Sequence, residues 1–371
     1  MNQIPGHFQD LSAFPIPLSE SQCVLYKHEI LICGGFRERD CYSYHTIKNE
    51  YKHICSYPSD VMLRGHCLVK LVNNSKGSDC ITLLSFGRSL YAESHTLMMS
   101  YVSVWDNDSK MNKSKDNNVW VPFTDNNDCL ISIGRDEDDY EGVRAVVGGS
   151  NNHLLFITYE PENIDVFDLN TFQYIKRGTL PAGYSVFKHC FVLKPKDGLE
   201  MMNTIKHGNK NEKKNKNEML LFCKKTGLSI EYDEDNNTFQ FHKLPICDDI
   251  SPFYRYSYVY VSGVILLFGG WNGSFLSKVV SKSVHKYSIR ENKWTTFENS
   301  LPIPLSDSVA ILNQDGTYLH IIGGKKNCLT SVPTHMKTKV SKWLNEKNDK
   351  TDQIIKEEKH DLQNKIDKDA I

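Results

Sequence analysis

The sequence predicts an all-β fold assembled from repeated four-stranded antiparallel units. Two observations predict it: short apolar runs that end in a double glycine recur along the chain, and pairs of aromatic residues seven positions apart follow them. Short strands separated by turn residues are typical of all-β folds, and an internal repeat takes precedence over local motifs. The 371 residues, 40% of them hydrophobic, are enough to bury a large core.

The clearest unit spans residues 254–302. After an alternating run and a Ser-Gly turn, the apolar strand Val264–Phe268 runs into Gly269-Gly270. A third strand is predicted at 284–289 and a fourth around Trp294, before a proline ends the unit. This order predicts a four-stranded meander, in which each strand pairs with the next one along the chain.

The same order of elements recurs in five further units. Two of them keep the double glycine, and three have lost it. The apolar strands of the first two run into Gly34-Gly35 and Gly323-Gly324, and those of the other three end at Phe86, Ile157 and Phe222.

The second half of each unit has the tighter spacing. An aromatic residue on the third strand is followed seven residues later by another, across a polar turn in which Asn and Asp bond their own backbone. Trp105 is predicted to hold the first place in the second unit, with its partner delayed to Trp120 by an insertion. The four regular pairs are Tyr44 and Tyr51, Phe167 and Tyr174, Tyr232 and Phe239, and Tyr287 and Trp294.

This pattern resembles the kelch repeat, whose unit has a strand ending in double glycine, then a Tyr-Asp-like pair and a spaced Trp. The resemblance covers roughly residues 11–343 and implies a β-propeller in which each unit forms one blade. A single meander cannot bury both of its faces, so blades pack radially around a channel. We predict one domain over 1–343 with six four-stranded blades, five or seven being the alternatives. The last blade needs an outer strand, which is expected either after Trp343 or from the N-terminal segment 7–11; the resemblance favours the second, since kelch propellers often close their ring in this way.

Charged low-complexity segments interrupt and follow the repeat. Insertions at about 107–118 and 203–218 are predicted to be disordered loops, because Asn is nearly as abundant as Lys and no aromatic residue is interleaved for base stacking. A nucleic-acid or nuclear-import role for the basic run is the alternative. The charged tail, 344–371, is predicted to be a short helix or disordered, with a partner-binding helix as the functional alternative.

Composition and motifs argue against several classes of function. The formal net charge of −1 argues against a nucleic-acid binder, and no apolar run approaches the ~20 residues of a membrane span. Eleven irregularly spaced cysteines without a Cys-x-x-Cys pair, and no secretory signal, predict a cytoplasmic protein without a metal site or cofactor. Common hydrolase and phosphate-loop motifs are absent, so we expect no catalytic residues and no enzyme.

The resemblance implies a protein partner bound by loops on one face of the propeller, in a monomeric scaffold or adaptor. A propeller enzyme or small-ligand binder that uses the central channel is the alternative. Since Arg and Trp are enriched at interaction hot spots, the loops after the apolar strands provide the partner-binding candidates. These are Arg37, Arg39, Arg88, Trp271, Asn272 and Lys325. Arg64, Arg144 and Arg255 begin blades and are predicted at the channel mouth, with bonds to strand-end carbonyls as the alternative role.

Overall fold

The structure is a computed structural model that describes residues 7–72, 80–89, 92–106, 117–195, 216–274 and 276–344. Within these residues, 24 strands form six four-stranded antiparallel sheets. We number the strands β1–β24 in chain order and call the sheets blades 1 to 6. The predicted all-β fold and the predicted number of blades are confirmed.

The blades follow one another along the chain. Blade 1 holds β2 (Gln22–Tyr26), β3 (Glu29–Gly35), β4 (Glu38–His45) and β5 (Glu50–Ser56). Blade 2 holds β6 (Cys67–Leu71), β7 (Cys80–Ser89), β8 (Ala92–Val102) and β9 (Val121–Pro122). Blade 3 holds β10 (Arg144–Gly148), β11 (Leu154–Tyr159), β12 (Asn163–Asp168) and β13 (Gln173–Thr179). Blade 4 holds β14 (Cys190–Leu193), β15 (Lys216–Cys223), β16 (Thr226–Asp233) and β17 (Thr238–Lys243). Blade 5 holds β18 (Ser257–Val261), β19 (Val264–Phe268), β20 (Val284–Ser288) and β21 (Lys293–Thr296). Blade 6 holds β22 (Val309–Leu312), β23 (Tyr318–Ile322), β24 (His335–Lys339) and β1 (Phe8–Asp10), and the one-turn helix α1 (Ser341–Leu344) follows β24.

The first strand of each blade is the innermost. These six strands contact one another in a closed ring, in the order β2, β6, β10, β14, β18, β22 and back to β2. The ring is closed by the N-terminal strand, since β1 pairs with β24 and Phe8 lies opposite Thr338. Of the two predicted sources of the outer strand of the last blade, the N-terminal segment 7–11 is therefore the one that supplies it.

The spaced aromatic residues are cross-strand partners. All four predicted pairs lie directly opposite each other on the third and fourth strands, with ring centroids 4.9–5.2 Å apart. In three blades the tyrosine of the third strand also donates to an asparagine five residues later that holds the turn at positive φ. The prediction for Trp105 is wrong: it lies beyond β8, and Tyr101 occupies the equivalent position, opposite Ile81.

The double glycines allow close contact between blades. A Cβ atom on Gly269 would lie 2.1 Å from the carbonyl oxygen of Leu305, and one on Gly323 would lie 2.7 Å from that of Leu18. Both carbonyls belong to the segment that leads into the next blade. Only glycine permits this approach at the positive φ that both positions hold.

The alternation of strand direction defines two faces of the ring. The innermost strands begin, and the second strands end, on the face that we call the mouth face. It carries the loops between second and third strands and the segments between blades. The other loops lie on the opposite face, which we call the far face.

Most of the two predicted insertions and of the charged tail lies outside the described residues. Of the second insertion, residues 216–218 belong to β15. No helix among the described residues is long and apolar enough to cross a membrane.

Candidate functional site

The channel on the mouth face is surrounded by six equivalent residues, each two positions before an innermost strand. We call these the lead-in positions. Every one of them has positive φ, which costs a residue with a Cβ about 1–2 kcal/mol. Two are glycines, whereas the other four are charged, and strained backbone that carries charge is typical of functional sites. The six residues are Glu20, Gly65, Gly142, Lys188, Arg255 and Asp307.

Backbone hydrogen bonds hold neighbouring lead-in positions together. The N–H of Glu20 donates to the carbonyl oxygen of Asp307 at 2.9 Å, and that of Asp307 donates to Arg255 at 2.8 Å. On the other side of the ring, the N–H of Lys188 donates to the carbonyl oxygen of Gly142 at 3.2 Å. The N–H of Gly142 donates in the same way to the carbonyl oxygen of Gly65 at 2.9 Å. The blades are thus tied together at the level of the charged side chains.

The four charged lead-in residues form one buried cluster. The Nζ atom of Lys188 lies 2.6 Å from Glu20 Oε1 and 3.5 Å from Asp307 Oδ1. Arg255 approaches Asp307 from the other side at 3.5 Å. Lys325, from the loop between β23 and β24, lies 2.9 Å from Glu20 and 3.7 Å from Asp307. The two carboxylates are shared among three cations in a space from which water is largely excluded.

The cations keep Glu20 ionised. Burial by itself raises the pKa of this carboxyl, but the charges and hydrogen bonds of Lys188 and Lys325 outweigh burial and lower its pKa to about 2. Burial also lowers the pKa of Lys188, and the carboxylates of Asp307 and Glu20 oppose that effect. One Glu20 oxygen, Oε2, is buried without a hydrogen-bond partner among the described residues.

A mouth cavity of about 180 Å³ lies above this cluster. Arg64 and Glu141 line it as an ion pair 2.7 Å long, each directly before a glycine at a lead-in position. Aromatic rings form its rim: Lys325 lies over the Phe36 ring at 4.7 Å, and the Arg255 guanidinium lies 4.8 Å from the Trp271 ring centroid. Cations beside aromatic faces are stabilised by the ring quadrupole, so the rim fixes these side chains in place.

The structure brings four of the nine predicted site residues together, since Arg64, Arg255, Trp271 and Lys325 all line the mouth cavity. Trp271 is nevertheless buried and packs against Tyr254, with ring centroids 5.7 Å apart. The geometry thus makes the mouth a composite of loops from several blades.

The other five predicted residues lie apart from the mouth cavity. Arg37 and Arg39 are exposed on the mouth face, and Arg88 bonds Asp136 at 2.9 Å. The prediction that all these residues lie in loops is wrong for Arg39, which belongs to β4, and for Arg88, which belongs to β7. Asn272 donates to a serine of its own loop. Arg144 lines a deeper cavity, and its Nη1 donates to the carbonyl oxygen of Val143 at 2.8 Å.

Sequence reasoning missed Glu20, Lys188 and Asp307, which form the centre of the site. The signal that would have found them is their shared offset of two residues from an innermost strand. Detecting that offset requires aligning the first strands, which are the least regular part of the repeat. Among the described residues no group of three or more His, Cys, Asp or Glu side chains is arranged to hold a metal ion, and all eleven cysteines are free thiols.

Comparison with known proteins agrees with this architecture. Residues 252–299, which contain all of blade 5, match the Kelch motif. A solved structure described as the structure of YjhT is similar to the chain with a TM-score of 0.56 and 13% sequence identity, over 88% of this chain and 95% of that one. No curated protein sequence matches the chain. The chain is therefore a six-bladed β-propeller that carries a kelch motif in its fifth blade.

Proposed function

We propose that this propeller is a protein-interaction module, a scaffold or adaptor, that binds its partner with the mouth face. The observation that carries the proposal is the distribution of exposed large apolar side chains. Of the eleven among the described residues, six lie in mouth-face loops, and three lie on the far face. The six are Met62, Leu130, Tyr184, Leu276, Val279 and Leu329, and the three are Ile47, Val72 and Val119.

Neighbouring loops of blades 5 and 6 hold the most exposed of these side chains. Leu276 is fully exposed and Leu329 is 80% exposed. Their loops also supply Trp271 and Lys325 to the mouth cavity. Apolar anchors beside Arg, Lys and aromatic residues are typical of the centre of a protein interface, where a few side chains contribute most of the binding energy.

The same geometry favours binding over catalysis, and we propose that the protein is not an enzyme. A general acid or base works best when its pKa lies near the working pH. Glu20, the most central carboxylate, has a pKa of about 2 and is held by two cations, so it remains ionised at neutral pH. We further propose that the module acts as a monomer. We also propose that it acts in the cytoplasm, since its cysteines are free thiols, which persist in a reducing compartment.

Affinity recovery from cells of the source organism tests the proposal. The bait is the full chain, either unchanged, with the mouth-face substitutions Leu276→Ser and Leu329→Ser, or with Ile47→Ser on the far face as the matched control. All three residues are exposed, so the substitutions leave the core intact. We expect a protein that the wild type and the control recover and that the mouth-face variant loses. Recovery that is lost only in the far-face variant, or that is equal in all three, would overturn the proposal.

A further inference from the structure

The channel continues past the lead-in positions into a second cavity of about 230 Å³, which we call the inner cavity. Its walls include residues that begin innermost strands, and five of the six such residues line it. These five are Gln22, Cys67, Arg144, Ser257 and Val309, and the sixth strand begins at Cys190. Arg144 is the one charged residue in this layer.

The charge of Arg144 is not balanced by its neighbours. The lead-in residues Glu20, Lys188, Arg255 and Asp307 line the same cavity and cancel one another's charge, so Arg144 leaves its lining with one excess positive charge. Lys325, which bonds both carboxylates from the side of the mouth cavity, is a further cation. The Arg144 guanidinium donates to backbone carbonyls, and it has no carboxylate partner among the residues that the structure describes. A half-buried cation without a counter-charge is costly, so an anion that enters the cavity is favoured.

Neighbouring histidines leave Arg144 as the cation of this layer. Burial holds the pKa of His189 well below its usual range, and the charge of Arg144 lowers it further. Burial likewise lowers the pKa of His66 to about 3. Both imidazoles are therefore neutral at pH 7 and add no charge to that of the guanidinium.

A hydroxyl group in the same wall is without a partner. Ser21 is 1% exposed, and its Oγ atom has no hydrogen-bond partner among the described residues. Leaving a buried hydroxyl unsatisfied costs about 1–3 kcal/mol. Ser257 and Ser308, whose Oγ atoms lie 2.6 Å apart, also line the cavity. A guanidinium fork and hydroxyl donors on the residues that line one cavity are the groups that recognise oxyanions.

We propose that the inner cavity is a binding site for a small oxyanion, a phosphate or carboxylate group, held by Arg144 and by the Ser21 hydroxyl, which turns from its buried position towards the bound anion. The volume of 230 Å³ is that of about eight water molecules. This admits inorganic phosphate or a small organic acid. The site lies inside the ring and does not depend on the protein-binding role of the mouth face.

Calorimetric titration of the full chain tests the site, with inorganic phosphate and acetate as probes and glycerol as an uncharged comparison, at ionic strength fixed with sodium chloride. We expect a single site for phosphate, acetate or both, and none for glycerol. Arg144→Met is expected to weaken binding about ten-fold or more, because it removes a charge-assisted hydrogen bond. Arg144→Lys is expected to restore most of the affinity, and Ser21→Ala to weaken binding by a smaller factor. The matched control is Arg177→Met, an exposed arginine on the outer strand of the same blade, which is expected to bind as the wild type does.

The comparison of the two probes identifies the ligand class. Binding of phosphate alone indicates a phosphate group, binding of acetate alone indicates a carboxylate, and comparable binding of both indicates recognition of an oxyanion irrespective of its centre. The proposal is overturned if neither anion binds, or if Arg144→Met and Ser21→Ala both bind as tightly as the wild type. Should Arg144→Met fail to fold, the Arg144→Lys and Ser21→Ala titrations decide the matter.

Discussion

The ammonium group of Lys188 lies 2.6 Å from a carboxylate oxygen of Glu20, and both side chains are only 3% exposed. Lys188 precedes blade 4 and Glu20 precedes blade 1, which face each other across the ring. The pair therefore spans the channel and joins blades that are not neighbours. Because Glu20 is also bonded by Lys325, the centre of the ring is a network rather than an isolated ion pair.

Lys188→Met is expected to lower the free energy of unfolding by about 1.5–3 kcal/mol, because it removes a buried charge-assisted hydrogen bond to Glu20 while Lys325 still compensates part of the carboxylate charge. Denaturant unfolding measures this difference. The control is Lys194→Met: Lys194 and Glu218 form an ion pair of similar length, 2.8 Å, but they are 25% and 39% exposed. An exposed pair contributes about 0–1 kcal/mol. Equal losses in the two variants would contradict the structural role of the channel-spanning pair.

The first glycine of a double glycine offers a test of the contact between blades. In Gly269→Ala the new Cβ would lie 2.1 Å from the backbone oxygen of Leu305, in the segment that leads into the next blade, and φ is +70°. Gly263→Ala is the matched variant, since φ is +78° and nothing lies within 4 Å. We expect a loss of about 1 kcal/mol for Gly263→Ala from backbone strain alone and about 3 kcal/mol or more for Gly269→Ala. Thermal or denaturant unfolding of the two variants separates the effect of steric overlap from that of backbone strain. Similar losses of stability in both variants would contradict the close approach of Gly269 to Leu305.

The sequence predicted the repeat because its strongest signals are local. Each double glycine, and each pair of aromatic residues seven positions apart, depends on the geometry of one strand pair or one turn. The register of Tyr287 with Trp294, for example, follows from the turn between them. The prediction failed at Trp105 because an insertion separates the third and fourth strands of this blade. The spacing of the aromatic residues therefore no longer indicates how the two strands are paired. Local spacing is reliable only where the connecting turn is short.

The candidate site was predicted only at its edge for a related reason. Trp271 and Lys325 follow easily recognised strands, so the sequence placed them on one face. Glu20 and Asp307 are 287 residues apart, and only closure of the ring brings them together. Their ion pairs with Lys188 depend on a non-local arrangement that no spacing rule contains.

Phe8 in the closing strand provides a third prediction. It is partly buried against the rings of Trp343 and Phe268, at centroid distances of 5.7 Å and 6.4 Å. Phe8→Ala is expected to lower the free energy of unfolding by about 1–2 kcal/mol, less than for a fully buried phenylalanine. Gln9 is exposed on the same strand, so Gln9→Ala is expected to change stability by no more than about 0.5 kcal/mol. Denaturant unfolding checks both, and a Phe8→Ala effect as small as the control's would contradict closure of the ring by β1.

The blade 6 histidines predict how stability depends on pH. The Nδ1 atom of His320 lies 2.9 Å from Nε2 of His335, and the ring of Tyr44 from blade 1 packs against both. Burial lowers the pKa of His320 to about 4, and the charge of Lys337 contributes in the same direction. In the unfolded chain this pKa is about 6.5. Between these values the unfolded chain binds a proton that the folded chain does not, so the free energy of unfolding decreases as the pH falls.

For His320 alone, the free energy of unfolding is expected to decrease by about 2 kcal/mol between pH 7 and pH 5. His320→Gln is expected to remove that part of the pH dependence even if it lowers stability at pH 7. His242 is exposed, and His242→Gln is expected to keep the wild-type dependence. Denaturant unfolding of the three proteins at both pH values measures the change in slope. A slope for His320→Gln that equals the control's would show that the pH dependence arises from groups other than His320.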